Sequence, residues 1–188
     1  MFQDWHEFYF MMGSAGAGLI GLLFVVVTLT SGFERQALTL GMKIYISPTA
    51  LHFAAVLSVS AVAMAPGLPA WAAAVIFAGI ALVGFAHAVR SCIGIRKREA
   101  STEKPHWSDF WMYGGVPAAI YLGLLAASAS VWAQAEGAAY AMAGLALVLM
   151  LVGIRNSWDL VTDITRRQKK EPPPTPASAP GSRRKRRP

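Results

Sequence analysis

Six ionisable residues stand in or at the edges of the apolar parts of this chain: His52, His87, Arg90, Asp109, Arg155 and Asp159. Charged and titratable groups are costly in hydrocarbon, so each is a candidate for function wherever such a stretch crosses a bilayer. Two histidines on neighbouring helices allow three chemistries. They can be neutral, hydrogen-bonded residues between helices. They can be axial ligands of a haem held between two spans. They can be a proton-relay or pH-sensing pair. The haem assignment of His52 and His87 is the weakest, because haem-carrying spans commonly hold more histidines at clearer spacing. Arg155 and Asp159 are four apart, the helical spacing at which opposite charges pair. They are read as interface anchors reaching for water, or as the closure of a polar cluster that brings Arg155 and Asn156 to the histidine layer.

Other chemistry lacks its residues. There is no spaced Cys or His set for a metal, and no phosphate loop, nucleophile elbow or HExxH. His106 and Asp109 are read as a solvated helix cap. Ser58, Ser60, Ser128 and Ser130 lack a base at reachable depth and are expected to bond their own backbone. The single cysteine, Cys92, excludes an internal disulfide and is expected to be a reduced thiol. No catalytic residue, metal or cofactor is assigned, and the expectation is a protein that is not an enzyme.

The elements that position these groups are long and apolar. Of 188 residues, 55 % are hydrophobic and only 14 % charged, against about 25 % charged in soluble domains. The chain therefore belongs to the membrane class. Five stretches of about the ~20 residues a spanning helix needs fall at 8–30, 44–64, 69–89, 110–132 and 138–158. The second and third form a hairpin around Ala65-Pro66-Gly67-Leu68. His52 lies 15 residues before Gly67 and His87 lies 20 after it, so they share a depth to within roughly 8 Å. Pro48 is placed at the entrance of the second span, and Pro117, after Gly114-Gly115, predicts a kink in the fourth. Residues 31–43 read as a polar connector or a short interfacial helix. Gly13, Ala17 and Gly21 have the small-xxx-small spacing that lets helices approach closely, either within the bundle or as a dimer seam. Residues 2–10 carry Trp5, Phe8, Tyr9 and Phe10, suited to the headgroup layer. Their acidic character is not that of a cleavable signal.

Charge sorts the loops. Of the 17 Lys and Arg residues, two fall in 31–43, five in 90–109 and ten from Arg155 onward. With five spans all of them lie on one side. The positive-inside rule then puts the N-terminus outside and the C-terminus in the cytoplasm. The expected organisation is an all-α integral membrane bundle of five transmembrane helices over 1–164. A disordered, proline-rich basic tail follows over 165–188. Its Arg183-Arg184-Lys185-Arg186-Arg187 run suits anionic lipid headgroups rather than a specific nucleic acid. The polar residues of the cytoplasmic end form the candidate cluster: His52, His87, Arg90, Asp109, Arg155, Asn156 and Asp159.

Several blocks together carry a resemblance: GLIGLLFVVVTL, Ser47-Pro48-Thr49 with His52-Phe53, Tyr113 with Pro117 and Tyr121, and Gly153 through Asp159. Over roughly residues 5–165 the chain resembles a family of small, uncharacterised bacterial integral membrane proteins. The resemblance implies a multi-pass protein of the bacterial inner membrane. It implies no activity, and it does not include His87. The functional expectation is an accessory or scaffold subunit with a membrane-protein partner or a second copy. A small oligomeric transporter or channel is the alternative, and a bis-histidine haem carrier the third.

Overall fold

A computed structural model of the chain describes residues 1–30, 35–99 and 110–170. It is a bundle of five helices, with no strand among the described residues. A short 3₁₀ turn, Gln3–Trp5, leads into α1 (His6–Thr30). Then come α2 (Arg35–Met64) and α3 (Ala70–Glu99). A single π-helical turn, Trp111–Gly115, opens α4 (Val116–Trp132), and α5 (Ala138–Lys170) completes the bundle.

Four segments are long and apolar enough to cross a membrane: Gln3–Thr28, Ala70–Arg96, Trp111–Trp132 and Ala138–Thr162. The segment Pro48–Met64 of α2 is apolar as well. It packs against α1, α3 and α5, so neighbouring helices rather than lipid cover most of it. Exposed aromatic residues mark the two edges of the bundle. Trp71, Trp132 and Tyr140 stand at one end, Trp111 and Trp158 at the other. The separation is about 31 Å along Trp111–Trp132 and about 27 Å along Tyr140–Trp158 at 1.5 Å per residue. That is the height of a hydrocarbon core between two aromatic belts. The chain is a multi-pass membrane protein.

Both turns at the first of these ends follow from local chemistry. Pro66 presets its own backbone, and Gly67 takes φ +69°, the conformation that a Pro-Gly turn demands of its second residue. At the end of α4, Gln134 takes φ 52°. Ala135 N–H then donates to Ser130 O and Gln134 N–H to Val131 O, each at 3.0 Å. This is the Schellman closure, here with glutamine where glycine is usual.

Three helices outrun their apolar stretches. Residues 35–43, expected as a connector or a short interfacial helix, are the first turns of α2, so Pro48 lies inside that helix and not at its entrance. The third helix runs ten residues past Val89 to Glu99, and α5 runs to Lys170. The helical body therefore passes the boundary at 164, while 171–188 lie outside the described residues. Hydropathy marks where lipid ends. A helix carries its own hydrogen bonds and so continues into water past the end of the apolar stretch.

Glycine lies at the seams of the bundle. A Cβ on Gly13 would meet Ser60 of α2 at 3.1 Å, and one on Gly16 the Phe53 carbonyl at 3.2 Å. Gly153 of α5 faces the Phe53 ring at 2.6 Å on the same measure, and Gly123 of α4 faces Leu145 at 2.9 Å. Gly84 of α3 lies flat against Tyr121, and Gly114 against Cys92. In lipid the attraction between helices is contact and hydrogen bonding rather than water exclusion, so backbones must come close.

Candidate functional site

The candidate cluster divides into an outer and an inner set. Arg155 and Asp159 pair at 3.2 Å across one helical turn, both side chains nearly half exposed. Arg90 is exposed on α3. Asp109 lies outside the described residues. The next residue along α5 faces the other way: Asn156 is fully buried. Arg155 therefore does not accompany Asn156 toward the histidines. One helical step, about 100°, separates a solvated ion pair from the core.

His52 is buried at 1 % exposure. Its Nδ1 shares a 2.9 Å hydrogen bond with the Tyr121 hydroxyl, from α2 to α4. Tyr121 is itself fully buried, its ring seated on Gly84. His87, half-buried, lies one turn beyond Gly84 on α3 and within electrostatic range of His52. The sequence placed the two histidines at one depth. It did not identify Tyr121 as the hydrogen-bond partner, a residue that entered only through the resemblance.

A second polar knot lies nearer the basic end. Within the π turn, Val116 N–H donates to Trp111 O, five residues back. The next donor in that register would be residue 117, but proline has no N–H, so the Met112 carbonyl loses its partner. Asn156 replaces it: Nδ2 donates to Met112 O at 3.2 Å. The Tyr113 hydroxyl returns a bond to the Asn156 carbonyl, also 3.2 Å. The irregularity foreseen at Gly114-Gly115 and Pro117 is thus a π turn that α5 holds in place.

The remaining assignments can be placed as well. Ser58, Ser128 and Ser130 donate to carbonyls four residues back, as expected. Ser60 does not; it is buried under Gly13 with its Oγ unpartnered. Of the Gly13, Ala17 and Gly21 set, Gly13 faces α2, whereas Ala17 is exposed and Gly21 meets nothing within 4 Å. Gly16 takes the second place in the inward seam. Cys92 is a free, half-buried thiol against Gly114. Among the described residues no group of three or more His, Cys, Asp or Glu could hold a metal ion. At the opposite end, a cavity of about 850 Å³ opens between Phe2, Gln3, His6, the α2–α3 turn and Gln134, well away from the histidines.

Two expected results follow. A haem plate between His52 and His87 would compete with the Tyr121 ring for the ground between α3 and His52. The purified protein is therefore expected to show no Soret band, oxidised or reduced. A band that shifts on reduction and is lost in His52→Ala would restore the haem. The second concerns Gly114. A Cβ there would lie 3.4 Å from the Cβ of Cys92, close to the ~3.5–4.5 Å of a disulfide. Gly114→Cys should oxidise readily to an intramolecular disulfide, read as a mobility shift without reductant that Cys92→Ser abolishes.

No protein-family model, curated protein or solved structure matches the chain.

Proposed function

We propose that this chain is a non-enzymatic accessory or scaffold subunit of the bacterial inner membrane, its N-terminus outside and its basic C-terminal end in the cytoplasm. The observation that carries the reading is the lipid-directed face of α1. This helix packs chiefly on α2. Its other face presents Ser14, Ala17, Gly18 and Gly21, all exposed, and nothing lies within 4 Å of a Cβ on Gly18 or Gly21. Small residues at that spacing suit the close approach of another membrane helix, from a partner protein or a second copy. The sorting of all basic residues to one side supports the orientation, and the tail suits anionic headgroups. Crosslinking in native membranes tests the reading. A stable partner or dimer should be captured, and it should be lost in Gly18→Leu/Gly21→Leu with the fold intact. Capture of neither a partner nor a second copy would sink it.

A second reading, a small oligomeric transporter, draws on buried polar atoms with no partner in the bundle, His52 Nε2 and Asn156 Oδ1 among them. Flux through liposomes that is unchanged by His52→Ala would remove it.

A further inference from the structure

Two buried side-chain atoms are unpartnered on a pair of helices that pack together, His52 Nε2 on α2 and Asn156 Oδ1 on α5. Their residues are 1 % and 0 % exposed. The contact of Gly153 with the Phe53 ring sets the register of the antiparallel α2–α5 pair. From that contact toward the basic end, His52 is one residue along α2 and Asn156 three along α5. Their Cα levels therefore differ by only about 3 Å. Both side chains also reach for the same neighbour: His52 meets Tyr121, and Asn156 meets Met112. A helical side chain slopes back toward its own N-terminus, which brings the Tyr121 hydroxyl toward the level of the Met112 carbonyl. Buried polar groups in native proteins are as a rule satisfied, by protein or by ordered water.

We infer that a water molecule is bound between His52 and Asn156. Water matches the donors and acceptors one for one. With the Tyr121 hydroxyl as donor to His52 Nδ1, the imidazole proton stands on Nε2. Nε2–H donates to the water oxygen, and the water donates to Asn156 Oδ1. Asn156 Nδ2 completes the series at Met112 O. A cation would face the Nε2 proton, and an anion would face the lone pairs of Oδ1. With that tautomer a molecule that both accepts and donates is required, and both side chains are buried. The site ties α2 to the π turn of α4 through α5. It stands independently of the scaffold reading, since it needs no partner protein.

Solid-state NMR of the full chain, ¹⁵N-labelled at histidine and reconstituted in bilayers, tests this. His52 is expected as the Nε2–H tautomer with magnetisation transfer from water to Nε2. The transfer should persist in Asn156→Asp, which carries an oxygen at either position, and be lost in Asn156→Leu. Disulfide formation by Gly114→Cys in each background reports whether the π turn still meets α3. A wild-type His52 with no transfer from water overturns the site whatever the variants do. Transfer that survives in a folded Asn156→Leu overturns it too, because the water would then be held by other groups.

Discussion

Gly84→Ala is expected to destabilise the bundle by about 1–3 kcal/mol, the range for forcing extra volume into a packed core. The direction runs against helix propensity, which favours alanine over glycine by about 1 kcal/mol. The reason is local. Any Cβ at Gly84 would fall within the fully buried Tyr121 ring, and that ring cannot swing away without surrendering its hydroxyl bond to His52. Gly79, on the same helix, meets nothing within 4 Å, so Gly79→Ala should be neutral or mildly stabilising. Unfolding of the detergent-solubilised variants, followed by helical circular dichroism in a titration with a denaturing detergent, measures both. A double variant with Tyr121→Ala should cost less than the sum of its parts, because the clash vanishes with the ring. Equal effects at Gly84 and Gly79 would mean that α3 and α4 do not meet at this seam.

The contrast between these two glycines shows what a single sequence conveys about such a bundle. Apolar length and the sorting of basic residues were enough for five helices. Pro66-Gly67 marked its turn, and the four-residue spacing of Arg155 and Asp159 predicted their pair. Each of these is local along the chain. The seams are not local. Gly79 and Gly84 are alike in an all-apolar helix, and only the order of helices around the bundle decides which of them meets Tyr121. The same ignorance hid the split in α1, where Gly13 turns inward with Gly16 while Ala17 and Gly21 turn outward. In lipid, apolar side chains suit both faces of a helix, so hydropathy gives no inner stripe to read. It also hid the helical ends beyond the membrane, where polar residues continue a helix that hydropathy had closed. Asn156 stood in the candidate cluster for its polarity and its place near the basic end. Its role came from proline chemistry on another helix, about forty residues away.

That role makes the second large effect separable into its parts. Asn156→Leu removes the donor to the Met112 carbonyl and leaves a buried acceptor unmet, at a cost of about 1–3 kcal/mol. Leucine has the same branching at Cγ and as many heavy atoms as asparagine, so lost packing contributes little. The carbonyl is unserved in the first place because Pro117 stands where the π register calls for an N–H. Pro117→Ala should supply that N–H from within α4. In the wild type the new donor would share Met112 O with Asn156, and the gain is expected to be small. In Asn156→Leu it would be the principal donor, and the double variant should recover the part of the lost stability that belongs to the Met112 carbonyl. The sign of this coupling distinguishes a latch from bulk. If Asn156 serves only to fill space between α5 and α4, Pro117→Ala would leave the Asn156→Leu deficit untouched. If the π turn is held through its orphaned carbonyl, a proline-to-alanine change inside a membrane helix repairs a defect on another helix, and the same unfolding titration will record it.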